Sequence, residues 1–264
     1  MNIMLRLTSR TLPLLVIVPL LALTACQSNK TAFEDSDSLT TGSTEETGSL
    51  KETAKAGQLW EKDRGNIKLG MAYAAQLHSL DQKGQELDVL KTLVENNPND
   101  QKLLVYFGKQ LIEGGQSEQA SIIFGKAIAA GNTDWKVYSA MGSSLDQQGK
   151  YAAAREYYDR ALKARPNEIS VLNNLGMSFA LEGNLAKAEE TLRQASSLPE
   201  AKSQPRLRQN LALVVGLQGR FDEARKIAST DLPPDQVDAN MAYLQTMLAQ
   251  PNTWQKLQTG AAAG

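Results

Sequence analysis

The sequence predicts an all-α solenoid, a stack of antiparallel helix pairs closed by a C-terminal capping helix. Three observations predict it. Paired glycines recur after 34 residues: Gly108 and Gly115, Gly142 and Gly149, Gly176 and Gly183. Apolar residues recur at the same interval: Ala120, Ala154 and Ala188; Ala127, Ala161 and Ala195; Phe124, Tyr158 and Leu192. A further apolar stretch at helical spacing follows the last pair and can cover its open face.

The N-terminus has the pattern of a signal peptide. Arg6 and Arg10 precede the apolar run from Leu12 to Leu23, which is too short to span a bilayer comfortably. Two alternatives are an uncleaved anchor helix and a plain secreted protein. The short run and its two prolines, Pro13 and Pro19, disfavour the anchor. The position of the only cysteine, directly after this run, disfavours simple secretion.

The run ends in Leu-Thr-Ala-Cys, which resembles the bacterial lipobox. The resemblance implies a lipoprotein signal peptide over residues 1–25, cleavage before Cys26, and acyl chains on that cysteine. Several chains on one residue hold a protein to a membrane more firmly than one. Gln27 follows the cysteine, and in enterobacterial lipoproteins a residue other than Asp there favours the outer membrane. We therefore predict a Gram-negative lipoprotein on the periplasmic side of the outer membrane.

The segment between this N-terminus and the repeats divides into two parts. Residues 26–57 are rich in Ser, Thr, Glu and Gly, and we predict a disordered tether there. Residues 58–100 hold apolar residues at helical spacing and end near Pro98, which predicts a degenerate helical pair. Removal of the signal peptide leaves 26 basic and 29 acidic side chains, so the mature chain is mildly acidic.

The repeated columns resemble the tetratricopeptide repeat, a helix-turn-helix unit. Residues 135–168 match best, through Tyr138, Gly142, Ala154, Tyr158 and Pro166 among others. Residues 101–134 and 169–202 match nearly as well, and residues 205–238 form a degenerate copy after a two-residue slip. The second helix of that copy is expected to be short or differently packed. Residues 233–250 are predicted to form the capping helix, and residues 251–264 a flexible tail.

The columns describe helix packing rather than catalysis. Gly in the first helix and Ala in the second allow close approach, and Gly115, Gly149, Gly183 and Gly219 can end first helices in a left-handed conformation. With one cysteine and one histidine, His78, the chain lacks the ligands that most zinc sites need. No hydrolase or phosphate-binding motif occurs. We predict no enzyme activity, no metal, no cofactor beyond the lipid on Cys26, no small-molecule substrate and no nucleic-acid partner.

The first helices of stacked pairs are expected to line a concave groove for protein partners. In the last two repeats, the groove-facing columns contain six residues: Asn173, Asn174, Met177, Gln209, Asn210 and Leu213. An amide can both donate to and accept from an extended peptide backbone, so the recurrence of Asn174 and Asn210 in one column suggests a peptide-gripping role. The alternative is that Asn before Leu-Gly belongs to the common repeat pattern.

The segment from Arg206 to Leu248 resembles the C-terminal signature of TadD-type lipoproteins of the tight-adherence (Tad, or Flp) pilus machine. It carries Arg-Gln-Asn-Leu-Ala-Leu, Gly-Arg-Phe-Asp-Glu-Ala and a Pro-containing entry to Ala-Asn-x-Ala-Tyr-Leu. The resemblance implies a pilus assembly protein with pilotin-like support of the secretin ring. Alternatives are another lipoprotein scaffold, for type IV pili, outer-membrane protein insertion or cell-wall enzymes, and a periplasmic hydrolase, which would need a polar cluster that the sequence does not reveal.

Overall fold

A computed structural model describes residues 50–249, which form twelve α-helices, one short 3-10 helix and no strand. The signal peptide, Cys26, residues 26–49 of the predicted tether and residues 250–264 lie outside the described residues. The helices are α1 Leu50–Glu61, α2 Ile67–Ser79, α3 Lys83–Asn96, α4 Gln101–Glu113, α5 Ser117–Ala129, α6 Trp135–Gln147, α7 Tyr151–Ala164, α8 Ile169–Glu182, α9 Leu185–Ser196, α10 Pro205–Leu217, α11 Phe221–Ala228 and α12 Pro234–Ala249, with the 3-10 helix at Pro199–Ser203.

Capping side chains fix where three of the first helices begin, and glycines fix where four of them end. The carboxylate of Asp100 accepts a hydrogen bond from the Leu103 backbone N–H at 2.8 Å, and Asn66 and Asp134 cap α2 and α6 in a similar way. The predicted left-handed glycines are confirmed. Their φ angles are +74° at Gly115, +71° at Gly149, +92° at Gly183 and +80° at Gly219.

A glycine lets the two helices of each central pair approach closely. A Cβ on Gly108 would lie 2.6 Å from the Phe124 ring, and the same contact joins Gly142 to Tyr158 and Gly176 to Leu192 at 2.7 Å. These are the residues of the recurring columns. The large partner of each glycine is almost completely buried, so the pairs are locked by packing.

The helices α2 and α3 form a further pair of the same kind, within residues 58–100. A Cβ on Gly70 would lie 2.6 Å from Leu93, which repeats the glycine contact of the central pairs. Although α2 and α4 begin 34 residues apart, Gly70 precedes Gly108 by 38 residues, because it lies about one turn nearer the start of its helix. This offset explains why the pair fits the 34-residue columns poorly.

The expected tether ends earlier than residue 57, because α1 already begins at Leu50. Thr53, Gly57 and Trp60 are buried, and their spacing of four and three places them on one face of this helix. The Trp60 ring packs against Tyr73 of α2 with centroids 5.7 Å apart. The prediction for residues 50–57 was wrong because their polar composition conceals this apolar face.

An ion pair between Arg208 and Asp231 stabilises the last repeat next to the segment where the sequence slips by two residues. Nε and Nη2 of Arg208 donate to the Asp231 carboxylate at 2.7 and 2.5 Å, and Nη1 donates to the carbonyls of Ala201 and Lys202 at 2.9 Å. These hydrogen bonds from Arg208 lower the pKa of Asp231. The second helix, α11, has only eight residues, in line with its departure from the repeat columns.

We expect Arg208→Ala to lower the free energy of unfolding by about 2–3 kcal/mol, since the Asp231 side chain is only 12% exposed and would lose its cation. Urea unfolding measures the loss. Adding Asp231→Ala should recover part of it, because the unpaired carboxylate is then gone. The matched control, Lys226→Ala on the exposed side of α11, should change stability little. If the changes in the free energy of unfolding of the two single variants simply add in the double variant, the ion pair does not have this role.

The last helix, α12, covers the end of the stack. Val237, Met241 and Leu244 are buried, and Leu244 packs against Gly216 of α10. An ion pair between Arg225 and Asp238 joins α11 to α12. None of the helices in residues 50–249 is long and apolar enough to cross a membrane.

Candidate protein-binding groove

The first helices of the repeats form one row. The helices α4, α6, α8 and α10 contact one another from repeat to repeat, while the second helices of neighbouring repeats lie further apart. Because the first helices are closer together, the stack bends toward them and they line its concave side. This row is the surface on which the sequence predicts a groove.

Each of these four helices exposes the same set of positions. Four residues spaced by four, three and four lie on one face of the helix, and all sixteen are exposed or half-buried. We call this face the inner stripe. It consists of Lys102, Tyr106, Lys109 and Glu113 of α4; Lys136, Ala140, Ser143 and Gln147 of α6; Ser170, Asn174, Met177 and Leu181 of α8; and Arg206, Asn210, Leu213 and Leu217 of α10.

Four of the six predicted groove residues lie on the inner stripe and are half-buried: Asn174, Met177, Asn210 and Leu213. Gln209 is exposed beside the stripe, whereas Asn173 is buried with 9% of its surface exposed. Asn173 therefore lies beneath the groove surface. The structure does bring the six residues together, since α8 and α10 are in contact.

The amides of this region bond to one another. Nδ2 of Asn210 donates to Oδ1 of Asn173 at 2.8 Å, and Nδ2 of Asn174 lies 3.5 Å from the Ser139 hydroxyl of α6. An alanine at position 210 would leave the buried Asn173 oxygen without this donor, which costs stability. Loss of binding in Asn210→Ala would thus mix two effects. Gln209, Met177 and Leu213 are cleaner probes of the groove.

A buried carboxylate that the sequence did not single out lies next to the inner stripe. Asp146 of α6 accepts hydrogen bonds from the Tyr158 hydroxyl of α7 at 2.8 Å and from the Ser178 hydroxyl of α8 at 2.6 Å. It thereby joins two repeats. Burial raises the pKa of Asp146 from 3.8 to about 6, against the opposing effects of these two hydrogen bonds and of Arg155. Burial and the nearby Asp146 also raise the pKa of Tyr158.

This raised pKa predicts a specific dependence of stability on pH. The folded state holds the Asp146 proton more tightly than the unfolded chain, so the stabilisation is complete below pH 3.8 and is lost as pH rises through about 6. A pKa difference of about 2 corresponds to about 3 kcal/mol. We expect Asp146→Asn to remove this dependence and to unfold at a higher urea concentration than the wild type at neutral pH.

The measurement is urea unfolding of the wild type and Asp146→Asn between the acidic and neutral ends of this pH range. The difference between the two proteins isolates the titration of Asp146 from that of other groups. Asp159→Asn, at an exposed position of α7, is the control and should follow the wild type. Parallel curves for wild type and Asp146→Asn would show that Asp146 does not titrate as described.

One further polar cluster in residues 50–249 surrounds the histidine of α2. His78, the only histidine, has Nδ1 2.9 Å from Oε2 of Glu86, which is 1% exposed and also lies near the Tyr106 hydroxyl. Within residues 50–249, no three His, Cys, Asp or Glu side chains are placed to hold a metal ion. His78 lies in the last turn of α2 with its side chain about half exposed, where it contacts Glu86 of α3.

Stacked helix pairs with glycine contacts and an inner row of first helices define a tetratricopeptide-repeat solenoid, a class of protein-interaction scaffold that is typically non-catalytic. Comparison with protein families supports the class directly. The family described as tetratricopeptide repeat matches residues 139–205. A comparison with curated protein sequences finds no match.

Solved structures share the fold at low sequence identity. PilW, whose crystal structure is described as that of a widely conserved type IV pilus biogenesis factor, is 20% identical, with a TM-score of 0.57 and a match that covers 75% of this chain and 90% of that one.

 The crystal structure of MamA protein is also 20% identical, with a TM-score of 0.53 and coverage of 68% and 96%. YrrB, described as a tetratricopeptide-repeat protein with an unusual peptide-binding site, is 17% identical, with a TM-score of 0.51 and coverage of 68% and 95%.

Proposed function

We propose that this protein is an outer-membrane lipoprotein that supports assembly of a Tad/Flp pilus by binding the secretin or another subunit of the machine. The observation that carries the proposal is the segment from Arg206 to Leu248, with its resemblance to TadD-type lipoproteins. Two residues of its Arg-Gln-Asn-Leu-Ala-Leu motif make side-chain hydrogen bonds in the structure, Arg208 to Asp231 and Asn210 to Asn173. The segment builds the last repeat and the cap beside the groove.

The lipid anchor and the groove have complementary roles in this proposal. Acyl chains on Cys26 hold the protein at the membrane, and the polar segment after it lets the solenoid reach a nearby subunit. Tethering raises the effective concentration of the groove near a membrane-bound partner, so a weak contact is sufficient. Pilotin-like support of a secretin requires this combination, because the partner itself assembles at the outer membrane.

A second candidate is a scaffold for type IV pili, which the structural similarity to PilW favours. Other lipoprotein scaffolds, for outer-membrane protein insertion or cell-wall enzymes, would use the same fold with another partner. The genomic neighbourhood separates these candidates. A secretin, a secretion ATPase and a short prepilin beside the gene favour the Tad/Flp role.

Deletion of the gene tests the proposal. We expect fewer secretin multimers in outer-membrane fractions and fewer surface pili, and we expect a copy of the gene supplied in trans to restore both. Immunoblots of unheated membrane samples measure the multimers, and electron microscopy measures the pili. Normal multimers together with normal pili in the deletion strain would overturn the Tad/Flp proposal.

A further inference from the structure

The inner stripe carries unpaired positive charge on α4 and α6. Lys102, Lys109 and Lys136 are exposed, and none of the three makes an ion pair with an acid of residues 50–249. The Lys136 ammonium lies over the ring of Trp135, with Nζ 5.8 Å from its centroid. Glu113 is the only acid on the stripe of these two helices, so this half of the groove has a positive excess.

On α8 and α10 the inner stripe is polar at its first two positions, which include Arg206, and aliphatic at its last two. Met177 and Leu181 of α8 lie beside Leu213 and Leu217 of α10, at the third and fourth stripe positions of each helix. All four are half-buried, so part of each side chain remains open to the groove. They form one apolar patch, because α8 and α10 are in contact.

Met177, Leu213 and Leu217 pack in part against the core of the last repeats, but the repeat fold does not require aliphatic residues at these positions. The equivalent residues of α4 are Lys109 and Glu113, and those of α6 are Ser143 and Gln147. The same fold therefore accepts charged and polar side chains there. Since exposed apolar surface gains nothing from facing water, the patch is better explained by a ligand that covers it.

We propose that the inner stripe binds a linear segment of a partner protein that has acidic residues at one end and aliphatic residues at the other. The acidic end lies over Lys102, Lys109 and Lys136, and the aliphatic end lies on the patch of Met177, Leu181, Leu213 and Leu217. Packed helices are about 10 Å apart, so the row from α4 to α10 spans about 30 Å. An extended segment of about nine residues covers that length.

This inference rests on the proposed use of the groove for a partner segment, and it adds the chemistry of that segment. Opposite charge directs the acidic end and fixes which way the segment lies, while burial of aliphatic side chains supplies affinity. The charge complementarity selects an acidic partner over a second copy of this chain, whose inner stripe carries the same positive excess and would repel it.

Binding of labelled synthetic peptides to the full chain in detergent tests the proposal. One peptide of about twelve residues has four acids at one end and four Leu or Ile at the other, which is long enough to span the row. A second peptide replaces the acids with Gln, and a third replaces the aliphatic residues with Ser. Each is made in both chain directions, and fluorescence anisotropy measures its dissociation constant.

We expect the first peptide, in one chain direction, to bind at least about tenfold more tightly than the other two. Lys102→Glu with Lys109→Glu, and separately Leu213→Ser with Leu217→Ser, should each weaken it by about tenfold or more. The effect of the lysine changes should shrink at high salt, and that of the leucine changes should not. The controls are Lys126→Glu and Ile122→Ser, exposed on the second helix α5, and they should leave binding unchanged.

Equal binding of the three peptides, equal loss in the α5 controls, or no binding of any peptide would overturn the proposal. Sedimentation analysis adds one more outcome: a dimer that Leu213→Ser with Leu217→Ser converts to a monomer would assign the patch to self-association instead. The result is independent of the pilus role. Selective peptide binding with normal pili in the deletion strain would leave this inference standing and overturn the proposed function, and the reverse pair of results would do the opposite.

Discussion

Replacing Gly108 with alanine is expected to lower the free energy of unfolding by about 2 kcal/mol, because it overpacks the contact between α4 and α5. The new Cβ would lie 2.6, 2.8 and 3.0 Å from three atoms of the Phe124 ring. Phe124 is fully buried, so the ring has little room to move away. The loss exceeds the gain of up to about 1 kcal/mol that alanine brings to a helix interior.

Gly125→Ala is the matched control for this change. Gly125 lies inside α5, one residue after Phe124, and a Cβ there would meet nothing within 4 Å. Alanine should therefore stabilise the protein by about 0.5–1 kcal/mol. Urea unfolding followed by circular dichroism measures both variants, and the two midpoints should move in opposite directions. A Gly108→Ala midpoint equal to or above that of the wild type would contradict the close-contact interpretation of the glycine column.

Replacing Cys26 with serine is expected to abolish membrane attachment. Serine lacks the thiol that would receive the lipid in the proposed lipoprotein, and each buried CH₂ of such chains would contribute about 0.8 kcal/mol to membrane binding. We expect the wild type to incorporate labelled fatty acid and to sediment with membranes, and the variant to do neither. Cell fractionation and a palmitate label measure the two properties.

Gln27→Asp is the control for the lipidation experiment. It leaves Cys26 in place, so the protein should still carry lipid, but by the enterobacterial sorting rule it should move to the inner membrane. A Cys26→Ser protein that remains in the membrane fraction would contradict lipid anchoring. A Gln27→Asp protein that stays in the outer membrane would contradict only the sorting prediction.

The packing of the central repeats could be predicted from the sequence because each recurring position makes one kind of contact, which only certain residue types can make. Gly108, Gly142 and Gly176 recur with a large partner sixteen residues later, and each pair is in contact in the structure. The glycines that end first helices could be predicted for a similar reason, since they adopt positive φ angles that few other residues favour.

Features that depend on spacing irregularities could not be predicted in the same way. The contact of Gly70 with Leu93 lies outside the 34-residue register, and α1 has a polar composition that concealed its buried face. The bond between Asn210 and Asn173 joins neighbouring first helices in the same way as that between Asn174 and Ser139, and it depends on how those helices lie against each other. In each case the position of a neighbouring helix decides the contact, and local sequence does not encode that position.

The use of the inner stripe as a groove stays a prediction, but the structure shows which of the predicted residues are accessible. Met177 and Leu213 lie half-buried on the inner stripe, whereas Asn173 lies beneath it. The sequence emphasised the recurring Asn174 and Asn210, but their amides are engaged between the first helices. Asp146 was missed because a single acid in a helical repeat has no signal of burial until the helices around it are placed.

Photo-crosslinking in living cells tests whether the inner stripe of a lipid-anchored solenoid binds a pilus secretin. A photoreactive amino acid replaces Leu213 on the inner stripe or, as the control, Ile122 on the outer side of α5. If the inner stripe binds the secretin, we expect a crosslink to the secretin from position 213 and none from position 122. A secretin crosslink from position 122 alone, or none from either position in cells that assemble pili, would contradict it.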